Sequence, residues 1–209
     1  MINDYKVIVI DYGMGNTWSV ISALNYLGVK SELSYNKEKI INSDILILPG
    51  VGSFKKGVFN LKNLGLFELI RKEVIENKKI IFGICLGFQL LGISSNEGGF
   101  EKGLNLISAE VEKFENQKNK LKIPHIGFNS VSFSKEDNLF LNLNEDSDFY
   151  FVHSYRFKFK TMDGFVSKAN YGEPFIAAYH KNNIYGTQFH PEKSQSNGLM
   201  LLKNFFEFL

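Results

Sequence analysis

Three short runs of unbroken apolar residues constrain this chain more than any other feature. Val7–Ile10 reads VIVI, residues 44–48 read DILIL, and Ile80–Ile84 reads IIFGI. Runs of this length, rich in β-branched residues, mark strands covered on both faces. After the first, residues 17–27 place Val20, Ile21, Leu24 and Leu27 at helical spacing, and Gly28 stops them. After the second, Pro49-Gly50 ends the strand, and a helical stretch is expected over 55–77. After the third, residues 86–92 read as the opening of another helix. Strand alternating with helix points to a parallel sheet with helices on both faces.

The second half differs. Segments rich in Phe, Tyr, Val and Ile at 149–155, 165–169, 175–179 and 183–189 are broken by Asn, Asp, Gly and Lys. They read as short strands, several of them antiparallel. Residues 198–208 form a last amphipathic helix. The expectation is one α/β domain over 1–209, with a mostly parallel central sheet, flanking helices and a β-rich second half.

Bulk properties exclude several classes. A chain of 209 residues suits one domain, and 24 basic against 22 acidic residues leave a net charge of only +2. No basic block argues for nucleic acid. A single cysteine rules out an internal disulfide framework and fits a reducing compartment. The amino-terminal stretch MINDYKVIVIDYG is too short in its apolar part and too acidic for a signal peptide. No run approaches the roughly 18 apolar residues of a membrane span. A soluble cytoplasmic enzyme is expected, with no membrane association.

Two cofactor motifs begin and fail. Residues 11–18, DYGMGNTW, follow a strand and open a helix, but Trp18 stands where a dinucleotide fingerprint needs its third glycine. Gly52–Gly57 has the first spacing of a P-loop, but Val58 stands in the lysine place. The histidines, at 125, 153, 180 and 190, have no metal-ligand spacing, and the lone cysteine adds no zinc set. No metal and no cofactor are expected.

The one cysteine sits in FGICLGFQLLG, with Gly83 and Gly87 two residues to either side. That spacing is a strand-to-helix elbow with cysteine in the nucleophile's place. It puts Cys85 at the carboxyl end of the sheet and at a helix N-terminus, where free amides favour thiolate. The Leu86 amide would face an oxyanion formed beside the sulfur. A buried, inert cysteine fits the spacing equally well. What decides between them is residues 186–194, GTQFHPEKS. His190 can carry the proton that a thiolate nucleophile needs. Glu192 follows two residues on, and Pro191 is expected to hold the link extended, so that carboxylate and imidazole share a side. A carboxylate beside histidine fixes its tautomer and supports the imidazolium.

GICLGFQLL together with QFHPEKS resembles the class I glutamine amidotransferases. LPGVGSF at 48–54, IPHIGFNSV at 123–131, YFVHSY at 150–155 and QFHPEKSQ at 188–195 are similar, more narrowly, to the glutaminase subunits of imidazole glycerol phosphate synthases. The resemblance implies that Cys85 attacks the glutamine side-chain amide, His190 shuttles the proton and Glu192 orients His190. It implies an oxyanion hole of the Leu86 amide and an amide of the Gly50-Val51-Gly52 strand, which reorients before the hole forms. It implies glutamine contacts at Gly50, Gln89, Glu97, His153 and Ser154. It implies a (β/α)8-barrel cyclase as partner in a heterodimer, because ammonia must stay out of water to remain a nucleophile. Asn16, Trp18, Val51, Phe128 and Lys193 map onto the docking face.

Two positions depart from the pattern. Phe128 replaces a tryptophan in PHxGW, and Trp18 replaces an arginine after GN. Trading a cation for an indole changes what can dock. A paralogue feeding another barrel synthase, as in amidino-sugar formation in surface glycans, is therefore an alternative. A stand-alone γ-glutamyl cysteine hydrolase and a non-enzymatic glutamine- or partner-binding regulatory subunit are two more.

Overall fold

The computed structural model describes residues 5–115, 121–145 and 147–209. In chain order the strands are β1 (Val7–Ile10), β2 (Ser31–Ser34), β3 (Ile45–Leu48), β4 (Ile80–Ile84), β5 (Ser94–Ser95), β6 (Glu101–Lys102), β7 (Val111–Lys113), β8 (His125–Ser130), β9 (Asp148–His153), β10 (Tyr155–Phe157), β11 (Phe165–Tyr171), β12 (Glu173–Lys181) and β13 (Ile184–Thr187). The α-helices are α1 (Thr17–Tyr26), α2 (Lys37–Ile41), α3 (Phe54–Asn63), α4 (Phe67–Ile75), α5 (Leu86–Leu90) and α6 (Gln195–Glu207).

The central sheet runs β11-β12-β13-β4-β3-β1-β2. From β2 to β13 every pairing is parallel, and β11 and β12 extend the sheet antiparallel. Period-two alternation sends Val7, Val9, Ile45 and Ile47 to one face and Ile8, Ile10, Leu46 and Leu48 to the other. Both faces are covered, which is why these strands read as continuous apolar runs. α1 and α6 bring Val20, Leu24, Leu201 and Phe205 to the first face. α3 and α4 bring Val58, Leu61, Ile70 and Val74 to the second.

The stretch expected as one helix over 55–77 is two. Gly65 takes φ +65° and its N–H caps the Lys62 carbonyl, so α3 stops and α4 starts afresh. β2 and α2 were not anticipated. β2 (SELS) is a polar edge strand, and α2 is five residues long, too short to show a period. The strand expected over 149–155 is also divided. β9 pairs with β8, β10 pairs with β7 in a separate four-stranded sheet, and Ser154 is the residue between them. β3 and β4 both end at the same edge of the sheet, and the loops leaving that edge carry the residues of interest.

Candidate active site

β4 ends at Ile84 and α5 begins at Leu86, so the chain reverses direction in Cys85 alone. Its backbone sits at φ 53°, ψ −106°, a conformation L-residues rarely adopt outside functional turns. Cys85 N–H donates to the Thr187 carbonyl at 2.8 Å, and Gln89 N–H closes the first turn of α5 on the Cys85 carbonyl at 3.0 Å. A Cβ on Gly87 would lie 1.7 Å from the Leu48 carbonyl oxygen, and one on Gly83 would lie 2.7 Å from Phe88 Cα. Neither position admits a side chain, which is the physical content of the glycine spacing.

Strand register delivers the second group. β13 runs parallel to β4 with Thr187 beside Ile84, so the residues just past β13 land beside the elbow. His190 N–H is held by the Tyr150 carbonyl at 2.9 Å, and its Nδ1 meets Glu192 Oε1 at 2.8 Å. The two side chains are 3% and 2% exposed. The link between them is not extended as expected: Pro191–Lys193 is a turn of 3-10 helix. Pro191 at its first position begins that turn, and the turn brings the carboxylate back to Nδ1 of the ring.

The electrostatics favour an imidazolium. Burial alone pulls the His190 pKa down. The negative charge available to Cys85 opposes it, joined by the hydrogen bond and charge of Glu192, and the balance pushes the pKa up to about 10. With Nδ1 taken by Glu192, Nε2 is the nitrogen left for proton transfer. It is buried, has no partner of ordinary hydrogen-bond geometry, and faces the charge of Cys85.

The amide expected to meet an oxyanion is not free. Leu86 N–H, expected to be free, donates to the Gly50 carbonyl at 3.3 Å. Gly50 is wedged so closely that a Cβ would lie 2.4 Å from Tyr12 Oη and 2.9 Å from Leu86 Cβ. Tyr12 is buried and donates to the Pro49 carbonyl at 2.7 Å. Burial, then the charge of Cys85, raises its phenol pKa. Val51 is exposed, and Gly52 takes φ +115°, a conformation that favours glycine.

One cavity of about 170 Å³ gathers most of the expected residues: Val51, Gly52, Cys85, Leu86, Gln89, Glu97, His153 and Ser154. His190 and Gly50 lie off its lining. Gln89 Nε2 donates to the Tyr155 carbonyl at 2.7 Å and to Gln188 Oε1 at 3.0 Å, which leaves its Oε1 for a ligand. Glu97 Oε2 accepts the Phe54 N–H at 2.7 Å at the start of α3. Burial raises the Glu97 pKa against that hydrogen bond.

His153 has both ring nitrogens taken, Nδ1 by the Tyr155 carbonyl at 2.9 Å and Nε2 by His125 Nδ1 at 3.0 Å. Burial first lowers its pKa, to about 3, and that of His125 to about 4, so both are neutral. Ser154 offers its position at the β9–β10 break, and its carbonyl accepts Phe114 N–H.

Of the expected docking residues, Val51 lines the cavity and the other four lie outside it. Asn16 is exposed and accepts the Ser19 N–H at the start of α1. Trp18 is 75% and Phe128 49% exposed, and Lys193 is partly exposed. The Phe128 ring lies 5.6 Å from that of Tyr150, whose carbonyl holds His190. Tyr12, His125 and Gln188 were not singled out from sequence. Each lies inside a motif that was (DYGMGN, IPHIGF, QFHPE), and only the pairing of the strands shows what it touches. Among the described residues no group of three or more His, Cys, Asp or Glu could hold a metal ion. None of the described helices is long and apolar enough to cross a membrane.

The sequence model of the family described as glutamine amidotransferase class-I matches residues 8–208. A protein of Campylobacter jejuni subsp. jejuni serotype O:23/36 (strain 81-176), named imidazole glycerol phosphate synthase subunit HisH 1, is 48% identical over 200 residues, covering 95% of this chain and 98% of the relative. A Pseudomonas aeruginosa protein named imidazole glycerol phosphate synthase subunit HisH 2 is 43% identical over 201 residues, covering 96% and 98%. Among solved structures, one described as a glutamine amidotransferase superposes with a TM-score of 0.75 at 20% identity, covering 97% of this chain and 99% of that one. At that identity the likeness speaks for the fold.

Proposed function

The chain belongs to the class I glutamine amidotransferase family, and from that membership we propose that it is the glutaminase subunit of an imidazole glycerol phosphate synthase. In this reading residues 1–209 form one cytoplasmic glutaminase domain. It hydrolyses L-glutamine and passes ammonia to a (β/α)8-barrel cyclase of histidine biosynthesis. The observation that carries the reading is the buried His190–Glu192 pair, 2.8 Å apart, set against an elbow cysteine.

The Cys85 thiolate attacks the side-chain amide carbon of glutamine, and the carbonyl π electrons move to oxygen. As the intermediate collapses, His190 Nε2–H protonates the departing nitrogen and ammonia leaves. A γ-glutamyl thioester remains on Cys85. His190, now neutral, takes a proton from water; the hydroxide attacks the thioester, and the thiolate leaves with glutamate formed. Glu192 holds the Nδ1 proton throughout, so Nε2 always faces the reaction. Gln89, Glu97, His153 and Ser154 line the place of the glutamine.

The oxyanion needs donors, and Leu86 N–H is occupied by Gly50. Rotating the Gly50–Val51 peptide would release Leu86 N–H and swing the Val51 N–H inward. The free chain is therefore weakly active until a partner docks across Asn16, Trp18, Val51, Phe128 and Lys193. Steady glutamine hydrolysis by the isolated chain at the rate of the complex would contradict this. So would ammonia release by Cys85→Ala.

A second reading is favoured by Trp18. An indole 75% exposed where the pattern has arginine fits a different barrel face. The relatives bear the copy numbers 1 and 2 in their names. Under this reading the ammonia goes to another barrel synthase. Full rescue by this chain of a strain lacking the histidine-pathway subunit would argue against it.

A further inference from the structure

Gln188 has no role in the scheme above, yet its side chain touches the nucleophile. It is fully buried, two residues before His190. One end of its amide meets Gln89 at 3.0 Å and the other meets Cys85 Sγ at 3.7 Å. The neighbours fix which end is which. Gln89 also lies 2.7 Å from the Tyr155 carbonyl, which can only accept, so Gln89 presents its NH2 there. The same NH2 faces Gln188, which must answer with oxygen. The Gln188 nitrogen is thereby turned to the sulfur. The Tyr155 carbonyl is further fixed by the Nδ1–H of neutral His153. Turning the Gln188 amide over would set NH2 against NH2 and oxygen against sulfur.

We propose that Gln188 is a second donor to the nucleophile, an amide whose N–H holds Cys85 as thiolate before glutamine arrives. A thiolate accepts such a bond strongly and a thiol weakly, so the contact favours the charged form. The opposing contact is the Val152 carbonyl, 3.8 Å from Sγ, to which a thiol would donate. The inference rests on the reading of Cys85 as nucleophile, but its test needs neither glutamine nor a partner.

The test is the rate of Cys85 alkylation by iodoacetamide in the full chain as a function of pH, wild type against Gln188→Met. The other charged or titratable groups about the sulfur are His190 just before the 3-10 turn, Glu192 within it, Tyr12 from the β1–α1 loop, His153 of β9 and Glu97 across the cavity. All are common to both proteins. On the acid limb of the profile the Met variant should alkylate about three- to tenfold more slowly at a given pH, the limb being moved up by about half to one pH unit. Superimposable profiles would overturn the proposal. A merely structural role would lower folding stability and leave the profile in place.

Should Gln188→Met fail to fold, wild type carries a second test. With 15N-labelled glutamine, the Gln188 side-chain NH2 signals should follow the Cys85 titration and lose that response in Cys85→Ala. Signals indifferent to both would equally overturn it. Loss of ammonia release with normal alkylation would count against the glutaminase reading and leave Gln188 untouched.

Discussion

Substitution of Glu192 separates charge from orientation in this site. The His190–Glu192 contact is 2.8 Å long and both side chains are almost fully buried, so solvent screens it little. Glu192→Gln keeps an acceptor for Nδ1–H and removes the charge. Hydrogen bonds to charged groups contribute roughly 1.5–3 kcal/mol and neutral ones about 1. The difference, about 1–2 kcal/mol on the imidazolium that donates its proton in one half-reaction and is regenerated in the other, lowers kcat about 5- to 30-fold. Glu192→Ala also removes the acceptor and leaves a buried ring N–H alone. Breaking a buried pair in this way costs about 3–5 kcal/mol, so kcat should fall roughly 150- to 5,000-fold.

The assay is ammonia release in the complex, normalised to folded protein, with His190 followed by NMR. The His190 pKa should drop from about 10 in both variants and furthest in the alanine, where burial acts against fewer counterweights. The reasoning is refuted by an alanine variant with wild-type kcat, or by a His190 that still titrates near its original value.

Four further outcomes follow from the geometry. Gly87→Ala sets a Cβ 1.7 Å from a backbone oxygen; β3 must move, and the melting temperature should fall by several degrees, about 1–3 kcal/mol or more, in thermal unfolding. Glu97→Gln should raise KM for glutamine more than it lowers kcat, and because burial raises the Glu97 pKa, wild-type KM should begin to climb at a higher pH than an ordinary carboxylate would give. His125 and His153 have folded pKa values of about 4 and about 3, below the usual histidine value, so between about 6.5 and 3 the unfolded chain binds more protons. Stability should be full above that window and fall as pH drops through it, and urea midpoints from pH 7.5 to 4.5 for wild type and His153→Asn measure the slope, which the variant should flatten. Trp18→Ala should weaken binding of the barrel partner about tenfold or more by titration calorimetry while the alkylation rate of Cys85 stays unchanged.

What could be read from the sequence was what repeats or punctuates. β1, β3 and β4 announce themselves as apolar runs because both faces are covered. The elbow announces itself because Gly83 and Gly87 have no room for a side chain. His190 and Glu192 do meet, but not as expected: an extended link was expected, and a 3-10 turn makes the contact. β2 and α2 escaped because a polar edge strand and a single helical turn carry no period. The hydrogen bond from Leu86 to Gly50 was out of reach as well, since it joins residues 36 apart through the packing of Tyr12 and Gly50. Gln188 and His125 lay in motifs in plain view, but their roles depend on which strand lies beside which.

The central claim is that Cys85 becomes acylated by glutamine. Acid quenching of the complex during turnover, followed by mass mapping of its peptides, tests that claim directly. A γ-glutamyl increment confined to the peptide carrying Cys85, absent in Cys85→Ala and accumulating when His190 is replaced by Asn at a reduced acylation rate, is the expected result. Ammonia released with no adduct on that peptide, or an adduct on a different residue, would contradict the account.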